Sequence, residues 1–217
     1  MNLDDTSAGS HRRFCRDAWH PEALIQKGLS PLARGEFAFD WLTSPTDWEA
    51  FDPYRYDLLV LAKGNTTGVG DQTPWISPRH EEAFTDHVRS RKGILFIHGG
   101  TCYRQNPKLR ALTGGAFLQH PPPCPVTLEP RAGHPITRDV RTDVLHDEHY
   151  EMILDDVQAD VFLHTRSSHG VQPAGWTRME NGRVCVLTPG HTEEAWANPQ
   201  FQKLVDNALR WTAGKIP

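Results

Sequence analysis

The chain has 217 residues with a formal net charge of −4; 38% of them are hydrophobic and 23% are charged. This length suits one domain with a single core, covering residues 1–217. A slightly acidic chain offers no basic surface for a phosphate backbone, so we expect no nucleic-acid partner. No apolar run is long enough to span a bilayer, and the first residues lack the profile of a secretory signal. We therefore expect no membrane association and a cytoplasmic location.

Four cysteines and twelve histidines are the residues whose chemistry matters most here. The cysteines are irregularly spaced and form no Cys-x-x-Cys pair, so we expect reduced thiols rather than a zinc or redox motif. Histidine can act as acid, base or metal ligand near neutral pH, so the places where the histidines fall are informative.

The predicted elements alternate between strand and helix. Residues 1–12 are small and polar, which indicates a loosely ordered lead-in. The hydrophobic periods and caps then predict strands at 13–17, 36–42, 57–62, 93–97, 124–128, 159–164 and 183–188, with helices at 21–32, 78–91, 106–114 and 199–213. Residues 115–182 contain many prolines, and we expect an irregular insertion of short strands and loops over the sheet edge. The alternation predicts an α/β fold of flavodoxin-like type, with a doubly wound, mostly parallel sheet.

One short segment indicates where the functional site lies. Gly93–Ile97 is an apolar run typical of a central parallel strand, and it leads directly into His98, Gly99 and Gly100. The glycines would let the backbone turn sharply or approach a ligand closely. In open α/β sheets, ligands bind at the carboxyl ends of the strands. We therefore expect His98 to line a site, the alternative being a histidine that only caps its strand.

Other polar residues follow predicted strands in the same way. His20 comes after the first strand, Asn65 after the third and His191 after the last, so all should share one sheet edge with His98. We expect His20, Asn65, Gly99 and Gly100 to contact a substrate. By contrast, His120 and His134 each precede a proline, which is typical of residues that shape a loop.

Carboxylates near these histidines could take part in catalysis. Glu193 lies two residues after His191, and Asp147 and Glu148 lie in the run from His146 to Tyr150. Either Asp147 or Glu148 could act as a general base, with His98 and His191 as the catalytic histidines. His98, His191 and Glu148 could alternatively hold a divalent metal such as zinc or manganese. The simpler interpretation is that residues 146–150 form a solvent-exposed loop with no catalytic role.

Further residues are candidates for binding a sugar. Tyr150 and Glu193 lie beside the predicted catalytic groups, and Trp196 is placed to stack on a sugar face. The chain carries no Walker loop, no dinucleotide fingerprint after the first strand and no Gly-x-Ser-x-Gly elbow.

Taken together, these segments resemble the ThuA family of trehalose-utilisation proteins. The order and spacing agree from about residue 57 to 214. The motifs are Gly93–Gly100, Leu112–Pro121, His134–Thr137, Asp147–Tyr150, Gly182–Val184, and Gly190-His191 with Trp196 and Leu209–Trp211.

The resemblance implies a fold similar to that of the class I glutamine amidotransferases. Those enzymes carry a cysteine nucleophile after a central strand, and His98 stands at that place here. Cys102 lies beyond the turn and does not replace it, so we expect no amidotransfer.

The resemblance also implies a role in disaccharide catabolism, where a partner oxidoreductase makes a 3-keto sugar. A ketone acidifies the neighbouring C–H bond, so a histidine base could eliminate a glycosidic oxygen or isomerise the keto sugar. We favour an enzyme with a small sugar substrate over a non-catalytic carbohydrate-binding or regulatory protein. The sequence leaves homo-oligomerisation open.

Overall fold

A computed structural model describes residues 19–20, 22–33, 36–42, 52–67 and 71–217. The predicted lead-in at 1–12 and the predicted strand at 13–17 lie outside the described residues.

The described helices include counterparts of all four predicted ones and a short fifth helix, Glu193–Ala197, that was not predicted. The α-helices are α1 (Glu22–Leu29), α2 (Pro78–Arg89), α3 (Pro107–Thr113), α4 (Glu193–Ala197) and α5 (Pro199–Thr212). Short 3-10 turns cover Ser30–Leu32, Pro53–Arg55, His98–Thr101 and Pro135–Thr137. Of the three predicted caps, Ser77 and Asn198 cap α2 and α5 with their side chains, whereas the side chain of Asn106 makes no capping hydrogen bond to α3. Within the described ranges, no helix combines the length and the apolar character needed to cross a membrane.

Nine strands are described. They are β1 (Leu58–Leu61), β2 (Gly93–Ile97), β3 (Gly115–Gln119), β4 (Cys124–Pro130), β5 (Asp143–Asp147), β6 (Glu151–Leu154), β7 (Asp160–Ser167), β8 (Gly170–Met179) and β9 (Arg183–Leu187).

The strand β2 lies between β1 and β9 and is parallel to both. Every residue of β2 is buried, as the continuous apolar run predicted. Alternate side chains point to opposite faces of the sheet: Leu95 packs in the core that includes α5, and Phe96 packs in the core that includes α2 and α3. The central strand is therefore fixed from both sides, which holds the turn that follows it.

The main sheet is mixed, so the expected doubly wound, mostly parallel sheet is not confirmed. Its seven strands run in the order β1-β2-β9-β8-β7-β4-β5. Only the three strands β1, β2 and β9 are mutually parallel, and every other neighbouring pair is antiparallel. The reason is the short connections at 168–169 and 180–182, because parallel neighbours need a crossover of about a dozen residues or more.

Residues 115–182 are much more regular than the sequence suggested. Four of the strands in this range, β4, β5, β7 and β8, extend the main sheet itself. The other two, β3 and β6, form a separate antiparallel pair, which we call the ribbon. Prolines exclude long helices but not strands, and Pro125 and Pro130 both lie within β4.

Residues 36–42 form no strand in the described structure. The aromatic residues Phe37, Phe39 and Trp41 alternate as in a strand, and their rings contact one another in sequence. A strand also needs a hydrogen-bonded neighbour, and none of the described strands pairs with this segment.

Candidate functional site

The turn after β2 carries the central histidine of the site. His98 begins the turn with φ of 46°, in the left-handed region that residues other than glycine rarely adopt. Its side chain is buried, with 2% of its surface exposed. A side chain at Gly100 would clash with the carbonyl oxygen of Leu61, and a Cβ at Gly99 would lie 2.9 Å from His20 Nδ1. These two glycines, predicted to contact substrate, therefore let the turn pack against β1 and His20.

Three histidines and one glutamate meet at this edge of the sheet. The ring centre of His20 lies 4.9 Å from that of His98 and 5.7 Å from that of His191, and the rings of His98 and His191 are 5.3 Å apart. The Oε2 atom of Glu148 lies 3.3 Å from His98 Nε2 and 3.4 Å from His191 Nδ1. One ligand atom from each of the four residues lies within 4.8 Å of the others. We call this group the histidine cluster.

The proton on His98 is placed by its neighbour. His98 Nδ1 lies 2.8 Å from the carbonyl oxygen of Thr188, which can only accept, so Nδ1 carries the hydrogen. In the neutral ring the lone pair is then on Nε2, which faces the hydroxyl of Tyr150 at 2.9 Å and the carboxylate of Glu148. Burial lowers the pKa of His98, although the contact with Glu148 opposes this. A neutral imidazole with its lone pair aimed into the cluster is the form that binds a cation.

His191 presents a buried nitrogen to the same space. Its Nδ1 atom has no hydrogen-bond partner among the described residues, because the nearby Glu148 oxygen does not meet hydrogen-bond geometry. Burial also lowers the pKa of His191. A void of about 10 Å³ touches the three histidines of the cluster, but the rest of its lining is mostly apolar, including Leu24 and Trp196, and Glu148 is not part of it. An unpartnered nitrogen beside a carboxylate fits a bound cation.

Glu148 stays ionised among these rings. Burial raises the pKa of Glu148, but the contacts with His98, His191 and His120 outweigh it, so the pKa lies below its ordinary value. One carboxylate oxygen, Oε2, faces His98 in the cluster, and the other, Oε1, lies 3.5 Å from Nε2 of His120. The carboxylate therefore bridges the cluster and a further histidine.

Asp147 serves a different purpose from its neighbour. Its Oδ2 accepts a hydrogen bond from the backbone of Gly190 at 2.7 Å, and its Oδ1 accepts from the backbones of His191 at 2.9 Å and Thr192 at 3.2 Å. It is fully buried, and burial raises its pKa to about 6. Asp147 was a candidate base; the structure places it as the residue that fixes the loop bearing His191.

Three other predicted residues lie apart from the cluster. Asn65 bonds to Asn106 at 2.9 Å and to the backbone of Ile76 at 3.3 Å, which ties the loop after β1. Glu193 is exposed and forms an ion pair with Lys27. Trp196 is buried, its Nε1 donates to the carbonyl of Gly190 at 2.8 Å, and its ring occupies the space beside Gly28. Trp196 therefore belongs to the core and offers no face to a sugar.

The ribbon brings Tyr150 and His120 to the site. Gln119 at the end of β3 pairs with Glu151 at the start of β6, so the residues just beyond, His120 and Tyr150, leave the ribbon at the same end. Tyr150 was predicted from the sequence, whereas His120 was interpreted as loop-shaping. No local signal could have placed His120, because its position depends on the pairing of two strands that are far apart in the chain.

We expect the metal-free protein to lose stability in acid. Burial lowers the pKa of His98, His134, His149 and His191 below the ordinary value of 6.5. A histidine whose pKa is lower in the folded state contributes stability above the ordinary pKa and loses it below, at up to about 1.4 kcal/mol per pH unit. Asp147, with its pKa raised to about 6, acts in the opposite direction, but it offsets only one proton.

Urea unfolding in EDTA at pH 7.5 and 5.5 would measure this effect. The free energy of unfolding should fall at pH 5.5, and the fall should be smaller in His134→Asn, which keeps an acceptor for the backbone of Ile136. Equal or greater stability at pH 5.5 would contradict the prediction.

Comparison with known protein families shows to which family the chain belongs. A model of the family ThuA, described as trehalose utilisation, matches residues 16–212. The chain belongs to the ThuA family. This confirms the resemblance drawn from the motifs. Searching curated proteins for relatives of this ThuA-family chain gave no match.

Solved structures share the ThuA fold at low identity. A putative ThuA-like protein from Parabacteroides merdae is 18% identical, with a TM-score of 0.74 over 89% of this chain and 84% of that one. Another from Bacteroides uniformis is 20% identical, with a TM-score of 0.69 over 88% and 83%. A β-galactosidase from Halorubrum lacusprofundi is 16% identical, with a TM-score of 0.58; the match covers 88% of this chain but only 26% of that chain.

Proposed function

We propose that this ThuA-family protein is an enzyme of carbohydrate catabolism that acts on a keto sugar or keto glycoside by acid–base chemistry, with a divalent metal ion at the histidine cluster. The observation that carries the proposal is the convergence of His20, His98, His191 and Glu148 within 4.8 Å at the end of β2. Family membership supports the sugar class of the substrate.

The metal part of the proposal rests on the donor set. Three imidazoles and one carboxylate suit zinc or manganese. The ligand most clearly prepared for a cation is His98, whose proton is held on the opposite side of the ring by the Thr188 carbonyl. When bound, such an ion supplies a positive charge that polarises a substrate carbonyl oxygen.

Tyr150 would bind and orient the sugar next to the cluster. Burial raises the pKa of Tyr150 well above its ordinary value, so the hydroxyl keeps its proton. It lies 2.9 Å from His98 Nε2 and 3.5 Å from His20 Nε2. With the lone pair of His98 Nε2 given to a bound ion, the Tyr150 hydroxyl would be free to donate a hydrogen bond to a ketone or hydroxyl oxygen of the substrate.

The reaction that fits these groups is an elimination from a 3-keto glycoside. A base takes the proton from C2, and the electron pair of that C–H bond forms the enolate with the neighbouring ketone. The C1–O bond then breaks, its pair leaves with the glycosidic oxygen, and that oxygen takes up one proton. The products are an unsaturated keto sugar and an alcohol, and the substrate would come from a reaction that oxidises the sugar at C3.

Incubation with 3-keto-trehalose, with and without Zn²⁺ or Mn²⁺, tests the proposal. We expect the parent protein to consume the substrate, and we expect Glu148→Gln to lower the rate by roughly 100-fold or more. The matched control is Glu151→Gln, since Glu151 pairs with Gln119 outside the cluster. Unchanged 3-keto-trehalose under both conditions would reject the proposed reaction.

A non-catalytic sugar-binding protein is the second candidate. It is favoured by His98, which stands where the class I glutamine amidotransferases, whose fold the family resemblance implies, carry their cysteine nucleophile. Calorimetry with sugars would distinguish the two. Binding that survives His98→Ala and His191→Ala, together with no turnover by the parent, would support the binding protein.

A further inference from the structure

We infer that His120 is a catalytic residue of this site and carries the proton during the elimination. The inference rests on the proposed function, because it assigns the one group that the reaction needs and that the histidine cluster does not supply.

His120 lies at the open side of the site. Its Nε2 is 3.5 Å from Oε1 of Glu148, whereas His98 lies 3.3 Å from the other oxygen, Oε2. Its ring lies 5.7 Å from that of Tyr150 and 5.8 Å from that of Phe117. The side chain is 33% exposed, against 2% for His98 and 20% for His191. A substrate entering from solvent would therefore meet His120 before the buried rings.

The ring of His120 is held in one orientation with a defined tautomer. Its Nδ1 lies 2.8 Å from the carbonyl oxygen of Pro121, which can only accept, so Nδ1 carries the hydrogen. The neutral ring then has its lone pair on Nε2, the nitrogen that faces Glu148. When Nε2 takes a proton, the positive ring lies beside an ionised carboxylate that stabilises it.

The other polar groups of the site have roles that leave them unable to carry this proton. His20, His98, His191 and Glu148 Oε2 converge on one small space, which suits them to hold a cation rather than to reach a carbon atom of the substrate. Tyr150 is a hydrogen-bond donor. His120 Nε2 lies 3.5 Å from Oε1 of Glu148, and His120 is not among the four residues whose ligand atoms converge.

In the proposed step, His120 alone takes up and releases the proton. Nε2 of His120 takes the proton from C2 of the 3-keto glycoside, and the pair of the broken C–H bond forms the enolate. As the C1–O bond breaks, the departing oxygen takes the same proton from Nε2. The ring returns to its neutral form, and no further reactant is consumed.

The alternative is that His120 only shapes its loop or holds Glu148 in place. A residue that only positions Glu148 would affect metal binding, whereas a proton carrier would affect turnover with the metal retained. Small-molecule rescue separates these roles further, because free imidazole can replace a missing proton carrier.

Turnover of 3-keto-trehalose by His120→Ala and His120→Gln tests the inference, with His169→Ala as control because His169 lies in the exposed turn between β7 and β8. We expect kcat to fall by about 10²- to 10⁴-fold in both His120 variants, with little change in KM or metal content. Added imidazole should restore part of the activity of His120→Ala, and His169→Ala should match the parent.

The outcomes separate this inference from the proposed function. Loss of metal from both His120 variants, or no rescue by imidazole, would overturn the proton-carrying role. An unchanged kcat in both variants would do the same while leaving the proposed reaction intact. A parent protein that consumes no 3-keto glycoside would overturn the proposed function and the role of His120 with it.

Discussion

Replacing His191 by alanine is expected to remove tight binding of Zn²⁺ or Mn²⁺. Its Nδ1 is buried, lies 3.4 Å from Glu148 and makes no hydrogen bond to any described residue. Loss of a direct ligand should cost more than the roughly 10–100-fold in affinity that is typical for loss of an outer partner. Because no hydrogen bond of the ring is lost, the fold should remain intact.

Calorimetric titration with Zn²⁺ and with Mn²⁺ on metal-stripped protein measures this loss. His169→Ala is the control, since it removes an exposed imidazole that lies in the turn between β7 and β8. Equal affinity in His191→Ala and the parent would show that the cluster is not a metal site.

Replacing Gly100 by alanine is expected to cost about 3 kcal/mol of folding free energy, at the upper end for an overpacked core. The added Cβ would clash with the carbonyl oxygen of Leu61. Both partners are main chain: one is the buried turn after β2 and the other is the end of β1. Neither can move without shifting the parallel strand pair.

Urea unfolding of Gly100→Ala beside Gly133→Ala separates this clash from the general effect of removing a glycine. Gly133 has φ of 84° and no atom within 4 Å of an added Cβ, so its alanine variant should lose only about 1 kcal/mol from backbone strain. A Gly100→Ala variant as stable as Gly133→Ala would contradict the close packing of the turn against β1.

The parts of the fold that depend on local patterns were predictable. The apolar run of β2, the Ser77 cap of α2 and the apolar stripe of α5 all specify their elements within a few neighbouring residues. His98 and His191 could be brought together from the sequence because they follow β2 and β9, and these parallel strands end at one edge. The strand predicted before His20 lies outside the described residues.

The remainder depends on pairings between distant segments. Nothing near β3 indicates that it pairs with β6 rather than with the main sheet, so His120 could not be placed. The roles of Asp147 and Glu148 were likewise open, since adjacent carboxylates differ only in which side of the chain they face. Glu193 was predicted from its spacing to His191, but as the first residue of α4 it points to Lys27 instead.

The residues of the site come from two structural units, the main sheet and the ribbon. The histidines that would hold a cation stand on loops at the edge of the main sheet, whereas His120 and Tyr150 stand at one end of a two-stranded unit outside that sheet. Glu148 and Tyr150 are only two residues apart, in the link between β5 and β6. Substitutions in β3, away from this link, can therefore change the entrance to the proposed site while the three histidines keep their places on the loops of the main sheet.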